Sequence, residues 1–206
     1  MSKKTDLINI FRTYNSKYED ILKKINGIKT NIDITPIGAQ KQINEIISKF
    51  ETIATQYHDK AVSIIDDGVK ALENKWKANS TGKLLDSNYQ IGLANTIKML
   101  EAGAITDKND FKNIVDVYKD DYNALAIIRN LLKSDDPKYI EISILIPKDN
   151  RDYNKKILND LRNNVDAHIN PYTINNELSS MALGGMIQFV TDRLNDNLEI
   201  IPWEYI

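Results

Sequence analysis

The chain has 206 residues, 42% hydrophobic, 27% charged and 8% aromatic, enough apolar material to close a core without disulfides or a structural metal. The absence of cysteine removes disulfide frameworks, thiolate metal sites, iron–sulfur clusters and thiol nucleophiles together. A formal charge of -2, from 27 basic and 29 acidic residues, gives no global positive field for nucleic acid, and no apolar run suits a membrane span. The opening MSKKTDLINIF lacks the apolar stretch and cleavage site of a secretory signal, so the cytosol is the expected compartment. Lysine outnumbers arginine by 22 to 5, and with 31 isoleucines and 23 asparagines this reads as AT-rich coding rather than as chemistry. Charge is uneven, +4 over residues 1–85 and -6 over 86–206, which offers two regions of opposite sign to neighbours.

From residue 5 to 28, Leu7, Ile10, Phe11, Tyr14, Tyr18, Ile21, Leu22, Ile25 and Ile28 recur at steps of three and four, the spacing of one helical stripe. Gly27 and KTNID supply a stop and a turn. Thr35 then reads as an N-cap with Pro36 at the first helical position, where its missing N–H costs nothing. The apolar pattern that follows, from Ile43 through Phe50, Ala54, Ile64, Ile65 and Leu72 to Trp76, does not break until about Asn79. Such a helix is on the order of 65 Å long, against roughly 35 Å for the first. Residues 1–80 are therefore expected to form an antiparallel hairpin whose second arm outruns its partner. Ile64, Ile65, Leu72 and Trp76 must then be covered either by the later part of the chain or by another protein, which makes them candidate interaction residues. Gly68, inside this arm, reads as a tolerated glycine, a bend or a close approach.

Residues 81–206 are expected to form a helical cluster with a C-terminal tail, either as a second domain or continuous with the hairpin. Ser87 followed by Gln90 is a capping-box pattern ahead of Ile91, Leu93, Ile97 and Leu100, and Gly103 fits the C-terminal cap. Thr106 or Asp107 opens a helix through Phe111, Ile114, Val115 and Tyr118; Asp120 or Asp121 opens another through Leu125, Ile128 and Leu132. Over 139–147 the alternation of Ile140, Ile142, Ile144 and Ile146 argues for an extended segment. A helix begun by Asp136 and Pro137 competes with it. A lone strand needs a partner, which leaves the tail EIIPWEYI, another subunit, or no strand at all. Pro147 and Asp149 start a helix that ends before Asn170 and Pro171. The last helix is placed at 176–196, with Leu178, Met181, Ala182, Met186, Phe189, Val190 and Leu194 inward, and Gly184 and Gly185 weakening it or permitting a close crossing. The tail carries Ile200, Ile201, Trp203, Tyr205 and Ile206, sticky enough to be a second set of candidate interaction residues.

Catalytic patterns are thin. His58 and His168 lack HExxH spacing and thiolate partners, so no zinc site is expected. The pairs Asp66/Asp67, Asp120/Asp121 and Asp135/Asp136 do not match a calcium loop, and helix caps account for two of them. Ser87, Ser179 and Ser180 lack a GxSxG context. STGKLL lacks the leading glycine and strand of a phosphate loop. Lysines near 23–24 and 74–77 are interleaved with acids, as on a solvated helix face.

The segments from Thr35, Pro36 and Gly38 through the long helix, then Leu100 and Gly103, then Tyr118, Lys119, Asp120, Asn123, Ala124, Leu125 and Arg129, resemble small helical proteins encoded among the head and tail genes of phages of Gram-positive bacteria. The resemblance covers roughly 36–133 and is one of helix lengths and caps. It implies a virion or assembly component, with no catalytic residue, cofactor or metal ligand to carry over. The expectation is thus a mainly all-α, non-enzymatic capsid decoration or minor head protein. It would contact the major capsid or another virion protein, with self-association possible and neither nucleic acid nor membrane as partner. It would lie in the virion after a period in the host cytoplasm. Alternatives are a scaffolding factor and a phage-encoded inhibitor of a bacterial host protein; an enzyme is a third class, for which His58 and His168 would be the residues to test.

Overall fold

The computed structural model describes residues 1–132, 137–173 and 177–201. The fold is all-α: α1 (Lys3–Lys29), α2 (Pro36–Asn79), α3 (Ser87–Glu101), α4 (Lys108–Tyr118), α5 (Tyr122–Leu131), α6 (Pro137–Ser143), α7 (Arg151–His168) and α8 (Glu177–Arg193). Among the described residues the β contact is one isolated antiparallel bridge, Leu194 to Ile200. The chain divides into two compact units, Met1–Lys70 with Asp152–Ile206, and Ala71–Arg151. One division falls within α2, between Lys70 and Ala71, and the other between Arg151 and Asp152. The last two helices return to the hairpin, so the first unit is built from both ends of the chain.

In this first unit α1 starts at Ser2, whose hydroxyl accepts the Thr5 N–H. It runs through Gly27 to Lys29, because a glycine that keeps helical dihedrals weakens a helix without ending it. Thr35 caps α2 as expected, its hydroxyl accepting the Gly38 N–H. Three sets of contacts fix the directions. The Tyr14 ring lies 5.6 Å from Phe50 and 6.0 Å from Tyr57, while Lys3 Nζ donates to Asp67 O, so α1 and α2 are antiparallel. Lys4 Nζ donates to Thr191 O and the Ser180 hydroxyl to Asn15 Oδ1, so α8 runs against α1. His58 pairs with Asp166 and Asp66 with Arg162, so α7 runs against α2. The result is an up-down-up-down four-helix bundle. Its interior holds Phe11, Tyr14, Tyr18, Phe50, Ile65, Leu158, Val165 and Val190, each burial contributing roughly 1.5–3 kcal/mol for an aliphatic or phenylalanine side chain.

The inward face of α8 differs from the expected one. Ser179, Leu183, Met186, Val190 and Leu194 are buried, whereas Leu178 is 67% and Met181 73% exposed. The helix is apolar on two faces, and the expected set mixed them. Beyond α8 the chain turns through Leu198, a buried leucine at φ 65°. A Cβ placed on Gly68 would stand 3.0 Å from Leu198 Cδ1, so the close approach at Gly68 is made by a side chain.

The second unit has its own core of Leu93, Leu100, Phe111, Val115, Tyr118, Leu125, Ile128, Ile142 and Ile146. Three aspartates begin its helices: Asp86 accepts from Tyr89 N, Asp107 from Asn109 N and Asp110 N, and Asp121 from Asn123 N and Ala124 N. Asp86 thus takes the capping role expected of Ser87, which is the first residue of α3. Gly103, at φ 64°, follows the end of α3 in the left-handed conformation its position demands. The extended segment at 139–147 is not formed: Pro137–Ser143 is helix, followed by a turn. Ile142 and Ile146 are both 4% exposed, while Ile140 and Ile144 stay in solvent. Isoleucines at every second position are also four apart in pairs, so one pair occupies the buried side of a helical turn while the other faces out.

Candidate functional site

The candidate interaction residues on the second arm are not a free surface. Ile65, Leu72 and Trp76 are buried and Ile64 is half-buried, so the covering by the rest of the chain, one of the two alternatives, is the one found. Ile200 and Ile201 are half-buried and held in place: Ile200 N donates to Asn154 Oδ1 and Ile201 N to Arg193 O. Trp203, Tyr205 and Ile206 lie outside the described residues.

The open apolar end is the opposite one. Tyr14 donates to Asn170 O and Tyr18 to Thr173 O, both in the crossover between α7 and α8. That crossover sits at the level of Tyr14 and Tyr18, so α7 and α8 turn back there. From Tyr18, α1 continues about 16 Å further to Lys29 before α2 returns. On this projecting tip Ile25 and Ile43 are buried. Ile21, Leu22, Ile28, Ile46 and Ile47 are half-buried at their flanks, while Ile32 is 97% and Ile37 85% exposed. Charges around it alternate, with Lys23, Lys24, Lys29, Lys41 and Lys49 against Glu19, Asp20, Asp33 and Glu45. The sequence held a signal for this site: Ile32 in the polar turn between the helices and Ile37 in the first turn of α2, where solvent is the default surrounding.

The ionisable groups form local pairs. His58 Nε2 lies 2.8 Å from Asp166 and Nδ1 3.0 Å from Asp59. Partial burial disfavours the charged ring, but the hydrogen bonds and charges of the two carboxylates outweigh it, and the pKa stands above the ordinary 6.5. His168 Nδ1 is 3.4 Å from the Ser179 hydroxyl, a histidine–serine contact that sequence separation did not suggest. Ser179 is fully buried, so no substrate carbonyl can reach its oxygen.

In the second unit Ser80, Tyr89, Asp121 and Asn123 line a recess of about 140 Å³ under Leu84 and Ile127. Its polar groups satisfy one another. Tyr89 donates to Asp121 Oδ2 at 2.6 Å, and Asn123 Nδ2 donates to the Ser80 hydroxyl. Burial first, then the Asp121 carboxylate, push the Tyr89 phenol well above its usual range, so it stays protonated and keeps this bond. The recess is a structural network that begins α5. Among the described residues no three histidine, aspartate or glutamate side chains gather as a metal site. No described helix is long and apolar enough to cross a membrane. No protein family, curated protein or solved structure matches this chain.

Proposed function

We propose that this chain is a non-enzymatic assembly protein that acts by protein–protein contact through the tip of the α1–α2 hairpin, and that its setting is a phage particle, as capsid decoration or minor head component. The observation that carries the contact surface is the exposure of Ile32 and Ile37 at the end of two helices that outreach the rest of their bundle. An apolar knob on a stiff arm loses little conformational entropy on docking, and many copies on a symmetric shell turn a weak contact into firm attachment. The phage setting rests on the resemblance of the segment 36–133, and the hairpin tip supplies what such a component requires, a surface that its own fold leaves uncovered.

The test is mass spectrometry of purified particles from a phage carrying the gene, with the parent chain and with Ile32→Asp/Ile37→Asp. The parent is expected in mature particles and the variant absent from them, although both fold. A parent chain missing from particles, or found instead with one stoichiometric host protein, overturns the reading.

A further inference from the structure

The first unit leaves two apolar surfaces uncovered, one convex and one concave. The convex one is the hairpin tip, where Ile32 and Ile37 stand in solvent. The concave one lies between α7 and α8, an open groove of about 250 Å³ walled by Ile157 and Leu161 on one side and by Ala182, Gly185 and Phe189 on the other. From Leu178 to Thr191 α8 carries no charge, and Leu178 and Met181 extend its apolar stripe into solvent. Nothing stands within 4 Å of a Cβ added at Gly185, so internal packing does not keep that position small. Exposed apolar surfaces of this kind mark association sites.

One molecule cannot join its own two surfaces. The Ser180 hydroxyl donates to Asn15 and Lys4 Nζ to Thr191 O, so the groove stretch of α8 lies alongside residues 4–15 of α1. The same unbroken helix carries the tip, from Lys29 onward, about 20 Å further along. Two copies can join them, and size and charge agree. About 150 Å³ already takes a benzene-sized group, so the groove has room for an isoleucine side chain. Its rim carries the Asp160 carboxylate, and none of its described lining residues is a cation. Lys41 follows Ile37 by one helical turn on the same face of α2, while the acidic Glu45 of that face lies a further turn from the tip. Among the described residues neither Lys41 nor Asp160 has an ion-pair partner. We propose that the α7–α8 groove receives the hairpin tip of a second copy of this chain, with Ile37 seated against Leu161 and Phe189 and Lys41 paired with Asp160. Different surfaces meet on the two copies, so a pair keeps a free groove at one end and a free tip at the other. Association then continues into a ring or an open chain.

This rests on the reading of the tip as the contact surface and names its partner. By sedimentation equilibrium the mass of the purified chain is expected to rise with concentration beyond that of a dimer. Ile32→Asp/Ile37→Asp removes the tip and keeps the groove; Gly185→Arg fills the groove and keeps the tip. All three positions are exposed, so circular dichroism should not change. Each variant alone is expected to be monomeric. Mixed, the two should form a 1:1 dimer and stop there, since one has only a groove left and the other only a tip. The charge pair is read in the same way should Gly185→Arg not fold: Asp160→Lys and Lys41→Asp each weaken association several-fold, and the chain carrying both recovers it. A parent chain monomeric at every concentration, a mixture that stays monomeric, or either variant associating alone overturns the proposal, and association of Gly185→Arg with itself assigns the contact to two tips. Particle incorporation separates the two readings. A monomeric parent whose tip variant is lost from particles sinks this proposal and leaves the tip as a contact for another protein; a tip variant that no longer self-associates yet is incorporated does the reverse.

Discussion

At the level of single residues, His58 has the clearest pH signature. Its pKa is raised in the fold, so the stabilisation from Asp166 and Asp59 is complete below the unfolded value of 6.5 and fades as pH rises through the folded value. The three side chains are partly in solvent, which limits the effect to under about 1 kcal/mol. Urea midpoints should therefore fall modestly as pH rises above the ordinary 6.5, and His58→Gln should flatten that part of the profile. A profile unchanged by the substitution would show that the pair contributes nothing. Trp76 makes a second case. Its indole Nε1 is buried without a hydrogen-bond partner, a situation that costs about 1–3 kcal/mol. Trp76→Phe removes that donor along with some volume, so its net effect on stability should stay within about 1 kcal/mol, whereas Trp76→Ala should cost about 3–5 kcal/mol by chemical denaturation. Neither side chain's surroundings were readable locally: Asp166 is 108 residues from His58.

At the level of elements, most caps and the buried stripes of α1 and α2 were legible, while the inward face of α8 and the conformation around α6 were not. Thr35, Asp107, Asp121 and Gly103 act where local chemistry places them, because a cap is decided by the few residues around it. Which stripe of an apolar helix turns inward depends on its neighbours, and α8, apolar on two sides, gave the sequence no means to choose. The segment around α6 failed for a related reason, since its isoleucines satisfy two periods at once. The helix makes an unequal pair of them: Ile142 is 4% exposed and Ile144 77%. Ile142→Ala should destabilise by about 2–5 kcal/mol and Ile144→Ala by less than about 0.5 kcal/mol. A strand would put both on one face, and similar losses at the two positions would argue for it. Asp121 supplies the element-scale prediction of the second unit. It caps α5 through two backbone N–H groups and accepts the Tyr89 hydroxyl, so Asp121→Ala removes a cap and strands a half-buried donor, about 3 kcal/mol together in a thermal or urea melt.

At the level of the whole molecule, the long hairpin was legible and the identity of its covered end was not. Periodicity measured the two arms and showed that one outran the other; it carried no information on where α7 and α8 would lie. Those helices come from the far end of the sequence and pack on the hairpin within the first unit, where Ile65 is buried and Ile32 and Ile37 are exposed. The candidate contact surface therefore moved from Leu72 and Trp76 to Ile32 and Ile37. That relocation separates stability from assembly. Ile65→Ala removes a fully packed side chain and should lower stability by about 2–5 kcal/mol. Ile32→Asp/Ile37→Asp alters residues already in solvent and should move stability by less than about 0.5 kcal/mol per site. If the tip is the contact surface, incorporation into particles follows the opposite order under conditions where both variants remain folded, lost in the aspartate pair and retained in Ile65→Ala. Equal incorporation of the two variants would place the contact elsewhere on the chain.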